Sequence, residues 1–268
     1  MESEVREQPA LLARECSRYG EELRQALGGQ SFDLVLLAAR GSSDNAALYA
    51  RYLIEVHLGI PVSLAAPSVI TRFGAKPRYP LTLCIGISQS GAAPDVAEVL
   101  GYMRREGHTT LAITNTADSR LTKEAEHSLL LGAGQERSVA ATKTYTASLL
   151  ALYQVVRALG ASLPDPQGHL PTEDWLERTH DAAQSALGYL LRSSTLFSLG
   201  RGYGFATCQE SALKLMECAL LACKSYSTAD FEHGPKALAG HGAAAIVYGE
   251  VPESLADSGC LAIPAPVS

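Results

Sequence analysis

The sequence has few aromatic residues and little charge of either sign, and no part of it is a long apolar run. Of its 268 residues, 6% are aromatic and 19% are charged. No stretch is long and apolar enough to span a bilayer, and the charged N-terminus lacks the apolar core of a signal peptide. These absences argue against a membrane or exported protein, and we expect a cytoplasmic one.

The sequence also lacks the spacings of common metal and cofactor sites. Its seven histidines form no HxxH or HExxH pair, its six cysteines form no CxxC pair, and it has neither a GxGxxG turn nor a Walker lysine. We therefore expect free thiols, no metal and no organic cofactor.

Positive charge is in the minority. The net charge is −6 and the isoelectric point is about 5.7, which argues against nucleic acid and anionic membranes as partners. An anion site would have to be local, built from backbone N–H groups and hydroxyls, and small phosphorylated metabolites fit that description.

Strand-like and helix-like runs alternate along the first half of the chain. Such alternation predicts an α/β fold in which parallel sheets are flanked by helices. The predicted strands are Leu34–Ala39, Val62–Leu64, Leu81–Ile87, Thr109–Thr114 and Ser128–Leu131, and the predicted helices include Asp44–Leu58, Pro94–Glu106 and a long one at about 141–159.

A proline-rich segment after the long helix is the predicted domain boundary. We expect an N-terminal helical segment (1–30), a first α/β unit (31–163), a linker with a helix (164–192) and a second unit (193–268). The second unit is predicted to be incomplete, because little sequence remains after the strand Ala243–Tyr248 and one further strand near Cys260–Ile263.

The residues after the strand Leu81–Ile87 are small and polar: Ser88-Gln89-Ser90-Gly91 leads into a helix. Unpaired N–H groups at a helix N-terminus favour an anion, and serine hydroxyls add donors, so the turn is a candidate phosphate site. The alternative is an ordinary turn in which Ser90 only caps the helix.

A similar strand–Arg-Gly–helix pattern occurs twice. Arg40-Gly41-Ser42-Ser43 follows the first strand, and Gly200-Arg201-Gly202 follows a strand at about 195–199. The repetition suggests a duplicated α/β unit, and chance convergence of two turns is the alternative.

Three charged residues share one face of a predicted helix in the second unit. Glu210, Lys214 and Glu217 are spaced i, i+4 and i+7 on an otherwise apolar helix. The stripe either forms a solvated row of ion pairs or faces a cleft, where a carboxylate beside a lysine can shuttle protons.

Two loops add further candidates. His233 lies before a Gly-Pro pair, where it is either a surface residue or a catalyst. The turn 134–144, rich in glycine and hydroxyl residues, either caps the following helix or lines a ligand site.

Together these motifs resemble the sugar isomerase (SIS) family, in particular the isomerase half of glutamine–fructose-6-phosphate aminotransferases and the SIS-type glucosamine-6-phosphate deaminases. The resemblance covers nearly the whole chain. It rests on six motifs in family order: Arg40–Ser43, Ile87–Gly91, Ser138–Lys143, Leu199–Gly202, Glu210–Glu217 and Glu232–Pro235.

The resemblance implies roles for individual residues. A hexose or hexosamine 6-phosphate is the implied ligand. Glu217 would be the base that moves a proton between C1 and C2, with Lys214 beside it and Glu210 on the same face. His233 would promote ring opening, often from a neighbouring subunit, which implies a homodimer. The phosphate would be held by Ser43, Ser88, Gln89 and Ser90, and Val139 would give a backbone contact to the sugar.

The chain departs from the aminotransferase pattern in ways that favour the deaminase branch. Ala92 and Ala93 follow Gly91 where the aminotransferases have a threonine. Pro94-Asp95 and Ser138–Lys143 resemble the deaminases. The sequence begins near the SIS unit, without the glutaminase domain that supplies nitrogen from glutamine. The lysine-bearing C-terminal tail of the family is also absent from it.

The sequence thus predicts a glucosamine-6-phosphate deaminase and isomerase that forms fructose 6-phosphate and ammonia. Three alternatives stay open: an isomerase of the aminotransferase type, a deglycase acting on a sugar-phosphate–amine adduct, and a phosphosugar-sensing module without catalysis.

Overall fold

A computed structural model describes residues 1–266 and divides the chain into two compact units, Met1–Leu170 and Pro171–Ser268. Both units have an α/β fold with a parallel sheet and flanking helices. No helix within residues 1–266 combines the length and the apolar character needed to cross a membrane.

The first unit contains a five-stranded sheet in the order β2-β1-β3-β4-β5, with every neighbouring pair parallel. Its strands are β1 (Leu34–Ala38), β2 (Val62–Leu64), β3 (Thr82–Ile87), β4 (Thr109–Thr114) and β5 (His127–Leu130). Its helices are α1 (Glu2–Arg6), α2 (Gln8–Leu27), α3 (Ser42–Leu58), α4 (Ser68–Thr71), α5 (Pro94–Arg105), α6 (Arg120–Glu124) and α7 (Lys143–Ala158), followed by a 3₁₀ turn at Pro166–His169.

The inner strands β1, β3 and β4 are buried on both faces of the sheet, which explains why they are continuous, largely apolar runs. Successive side chains of β1 alternate in direction, as in any strand: Val35 and Leu37 pack with α2, α3 and α7, whereas Leu36 and Ala38 pack with α5 and α6. The two apolar layers hold the carboxyl ends of the strands in place, and the candidate phosphate turn is at one of those ends.

The second unit repeats this arrangement with four parallel strands in the order β7-β6-β8-β9. Its strands are β6 (Thr195–Gly200), β7 (Cys223–Ser227), β8 (Ala243–Tyr248) and β9 (Leu261–Pro264). Its helices are α8 (Glu173–Leu190), α9 (Tyr203–Ala219), α10 (Thr228–Glu232) and α11 (Glu253–Ala256), with a 3₁₀ turn at Pro235–Leu238.

Two glycines give the duplication a structural basis. Gly41 precedes α3 with φ 57° and ψ −132°, and Gly202 precedes α9 with φ 58° and ψ −129°. Each glycine follows an arginine just after the second strand in the order of its sheet, β1 or β6, so the same turn occurs at equivalent places in both units. These matching turns support duplication over chance convergence.

The observed elements differ from the sequence-based ones mainly at the edges. Helix α3 begins two residues earlier than expected, at Ser42, and β7 was not expected. β7 has the sequence Cys-Lys-Ser-Tyr-Ser and is a partly exposed edge strand, so it has no apolar run that would mark it as a strand.

The six cysteines form no disulfide among the described residues. Five are buried, and Cys218, near the C-terminal end of α9, is exposed. Burial raises the pKa of the Cys208 thiol to about 12 and that of the Cys223 thiol to about 11.

Candidate functional site

The turn after β3 is bonded to the neighbouring strand β4. Ser88 is buried, and its N–H donates to the Ile113 carbonyl at 3.1 Å. The Gln89 carbonyl accepts the Asn115 N–H at 3.0 Å. These hydrogen bonds hold the turn in place at the carboxyl end of β3, beside the carboxyl end of β4.

Gly91 closes this turn in a conformation that few other residues adopt. Its φ is +62°, and a Cβ at this position would lie 2.2 Å from Ser119 Oγ and 3.0 Å from Thr114 Oγ1. Both the dihedral angle and the space exclude a larger residue. The Gly91 carbonyl also accepts the Leu121 N–H at 3.1 Å, which joins the turn to α6.

Two backbone N–H groups of the turn are available to a ligand. Within residues 1–266, the N–H groups of Gln89 and Ser90 donate to no protein acceptor. The exposed Ser90 accepts the Ala92 N–H on its Oγ at 3.3 Å, a contact within the turn, whereas α5 has Ala93 as its N-cap and no side-chain cap, so the predicted capping of the helix by Ser90 is wrong. The Ser90 hydroxyl proton is still available to a ligand.

The turn after β1 lies beside the turn after β3, because β1 and β3 are neighbours in the sheet. Ser43 is half-buried in the first turn of α3, which has no side-chain cap on Gly41. Arg40 Nη2 lies 2.6 Å from Asp95 Oδ2 in the first turn of α5, so an ion pair connects the two turns.

The strand order explains why these turns meet. From β1 the chain crosses to β2 on one side, and from β3 it crosses to β4 on the other side. Ligands of open parallel sheets bind at such a reversal, outside the carboxyl ends of the strands. Two helix N-termini, three serines and free backbone donors at this place form a suitable anion site.

The segment Glu136–Thr142, called here the 136–142 loop, leads from β5 to α7. The Glu136 carboxylate accepts the N–H groups of Thr142 and Thr144 at 3.0 and 3.1 Å, and also both of their hydroxyls. It thereby caps α7. Val139 lies within the loop and is 99% exposed, an unusual position for an apolar side chain.

In the second unit, α9 brings its three charged residues together as the spacing predicted. Lys214 Nζ lies 2.7 Å from Glu217 Oε2 and 3.2 Å from Glu210 Oε1. Glu210 is buried, whereas about a third of the Glu217 side chain is exposed (35%). The cluster therefore has one buried carboxylate, one accessible carboxylate and a shared cation.

The protonation state of Lys214 follows from this cluster. Burial alone works to lower the pKa of Lys214, but the hydrogen bond to Glu217 and the charge of Glu210 outweigh it, so the pKa is raised. Lys214 is thus a cation near neutral pH and cannot serve as a base. Of the two carboxylates in the cluster, that of Glu217 is the more accessible.

His233 lies at the C-terminal end of α10 and is exposed. Its N–H donates to the Asp230 carbonyl at 3.0 Å. Its neighbour Glu232 accepts a hydrogen bond from Lys236 at 2.9 Å, which fixes the start of the 3₁₀ turn that follows. The imidazole itself is accessible to a ligand or another subunit.

Comparison with known proteins shows the family to which the chain belongs. Residues 33–158 match the model of the SIS domain. An inferred phosphosugar isomerase of Silicibacter pomeroyi DSS-3, solved at 1.75 Å, is 30% identical; the match covers 95% of this chain and 79% of that one, with a TM-score of 0.81. The chain belongs to the SIS domain family.

Further SIS relatives are aminotransferases by name. Glutamine–fructose-6-phosphate aminotransferases (isomerizing) from Methanothermobacter thermautotrophicus and Pseudomonas putida are each 34% identical over 90% and 89% of this chain. The chain spans only 41% and 42% of their lengths. The C-terminal domain of the Francisella tularensis glucosamine-fructose-6-phosphate aminotransferase is 26% identical, with a TM-score of 0.80 over 97% of this chain and 81% of that one.

The contacts of several residues at the site were not predicted from the sequence. The Asp95 partner of Arg40, the capping Glu136 and the buried Lys143 all act through contacts between residues distant in the chain or through a loop conformation. A lysine at the start of a helix is ordinarily interpreted as a surface residue, whereas Lys143 is 3% exposed.

Proposed function

We propose that this SIS protein binds a hexosamine 6-phosphate and converts glucosamine 6-phosphate to fructose 6-phosphate and ammonia. The turn Ser88–Gly91 would hold the phosphate, together with Ser43. The observation that carries the proposal is the α9 cluster, in which Lys214 is held as a cation against the accessible carboxylate of Glu217.

The proposed chemistry needs only a placed base and charge stabilisation. After ring opening, for which His233 is the candidate, Glu217 takes the proton from C2 of the open-chain aldehyde and returns it to C1. The product is an imine at C2, which water hydrolyses to the ketone with release of ammonia. The Lys214 cation stabilises negative charge that develops on the sugar oxygen.

The second candidate is an isomerase of the aminotransferase type, which the names of the 34% identical relatives favour. It would share the proton transfer between C1 and C2 but join an amine to fructose 6-phosphate. A phosphosugar-sensing module would bind the same ligands without any proton transfer.

One experiment separates these functions. The protein is incubated in D₂O with glucosamine 6-phosphate, glucose 6-phosphate, or fructose 6-phosphate plus ammonium, and deuterium at C2, ammonia and products are measured. Ammonia together with fructose 6-phosphate supports the deaminase. Amination of fructose 6-phosphate alone favours the aminotransferase type. Binding without exchange favours the sensing module.

The matched variants are Glu217→Gln and, as a control, Glu253→Gln, which changes an exposed carboxylate in the same unit. Glu217→Gln keeps the shape and removes the base, so kcat should fall by about 10²–10⁴ while ligand affinity is nearly unchanged. Undiminished exchange in this variant would transfer the role to another residue, with Glu210 the first to be tested.

A further inference from the structure

The 136–142 loop is held on one side by a helix that lies far away in sequence. Glu4 in α1 is 5% exposed. Its Oε1 accepts the backbone N–H of Arg137 at 2.5 Å and that of Ser138 at 3.4 Å. Contacts to consecutive N–H groups hold a backbone direction, and a carboxylate acceptor makes them stronger than neutral hydrogen bonds.

These bonds set the orientation of the peptide groups that lead to Val139. The described chain has no cis peptide bond, and in a trans peptide the N–H and the carbonyl point in opposite directions. Because the N–H groups of Arg137 and Ser138 are directed at Glu4, the carbonyls of Glu136 and Arg137 are directed away from α1. Val139, the fully exposed residue, follows directly.

Glu7, the residue between α1 and α2, is paired with the first residue of α7. Lys143 Nζ lies 2.6 Å from Glu7 Oε2, and Lys143 is 3% exposed. A buried ammonium needs its partner, so this contact fixes where α1 lies. Glu4 is thus a rigid attachment point for the loop, and Glu136 holds the other end through the start of α7.

We propose that Glu4 is a positioning residue, which holds the 136–142 loop so that the backbone at Val139 meets the sugar of the bound substrate. This inference rests on the proposed function. Without Glu4 the loop samples other conformations, and the apparent affinity falls in proportion to the fraction of molecules that keep the competent one.

The test uses the full chain with three variants. Glu4→Ala removes both acceptor contacts, Glu4→Gln keeps one acceptor oxygen without the charge, and Glu2→Ala changes an exposed carboxylate of the same helix that pairs only with the exposed Arg6 among described side chains. The folding of each variant is checked first by circular dichroism. Should Glu4→Ala fail to fold, Glu4→Gln carries the comparison.

The first readout needs no ligand. Arg137 is exposed, so trypsin can cleave after it once the loop moves freely. Glu4→Ala should speed cleavage after Arg137 and amide exchange at Ser138, Glu4→Gln should do so less, and Glu2→Ala should match the wild type. Equal cleavage in Glu4→Ala and Glu2→Ala would overturn the anchoring role.

The second readout is calorimetry and steady-state kinetics with glucosamine 6-phosphate. Glu4→Ala should weaken binding about tenfold and raise KM more than it lowers kcat, with partial rescue in Glu4→Gln. If Ser88→Ala weakens binding but Glu4→Ala does not, the positioning role is wrong and the proposed function stands. If the wild type binds no hexose phosphate, the proposed function is wrong and the positioning role is lost with it.

Discussion

Arg40 and Asp95 join the two turns of the candidate phosphate site, with Nη2 and Oδ2 2.6 Å apart. The guanidinium charge is shared with a carboxylate and is therefore only partly available to an anion. A bound phosphate has to be held mainly by serine hydroxyls and backbone N–H groups, which makes the serine variants informative.

Replacing both Ser88 and Ser90 with alanine should weaken binding of glucosamine 6-phosphate at least tenfold. Hydrogen bonds to a charged phosphate contribute about 1.5–3 kcal/mol each, and two are removed. Calorimetry measures the change, with Ser128→Ala, an exposed serine of β5, as the control. Unchanged affinity in the double variant would show that the phosphate binds elsewhere.

Gly91→Ala should both destabilise the first unit and abolish sugar-phosphate binding, because its Cβ would overlap Ser119. Gly107→Ala is the matched control: its φ is +85°, but no atom lies within 4 Å of a Cβ there. The control isolates dihedral strain of about 1–2 kcal/mol, and the excess in Gly91→Ala reports the clash. Similar urea midpoints for both variants would contradict the close packing described here.

Lys214→Met should destabilise the second unit by about 1–3 kcal/mol, because buried Glu210 loses a donor. Because the pKa of Lys214 is raised in the folded protein, its contribution to stability is complete below the ordinary lysine pKa of about 10.4. This contribution is lost only as the pH rises above that value. The difference in the free energy of urea unfolding between wild type and variant should thus be the same at pH 6 and at pH 9. A difference that vanishes by pH 8 would mean that the lysine is neutral there; exposed Lys224→Met is the control.

A homodimer in which His233 serves the neighbouring subunit should show complementation between inactive variants. Mixed Glu217→Gln and His233→Ala chains form hybrid dimers with one intact site, so about a quarter of the wild-type activity should return on mixing. Sedimentation checks the oligomeric state. An active monomer, or no recovery from a verified hybrid, would contradict the shared site.

Much of the fold was predictable because burial produces a direct pattern in the sequence. The inner strands β1, β3 and β4 of the first sheet are buried on both faces and form apolar runs, and the candidate phosphate turn interrupts the run of β3 with Ser88-Gln89-Ser90-Gly91. The α9 stripe was likewise confirmed as a cluster, since helical spacing alone brings Glu210, Lys214 and Glu217 together.

The contacts that hold the site were not predictable in the same way. Glu4 and Arg137 are separated by 133 residues, and Glu7 and Lys143 by 136. Periodicity describes neighbours on one element, whereas these pairs exist only once α1 packs near the start of α7. The edge strand β7 was missed for a related reason, because its stability comes from pairing with β6 instead of from its own apolar residues.

The exposure of Cys218 allows the protein to be labelled at a single cysteine. The other five cysteines are buried, and burial raises the pKa of their thiols, so a maleimide or haloacetamide dye at neutral pH should couple to this one position. Cys218 directly follows Glu217 in the sequence. A fluorophore there would report on the surroundings of the candidate base in an otherwise unmodified chain, even when no turnover occurs.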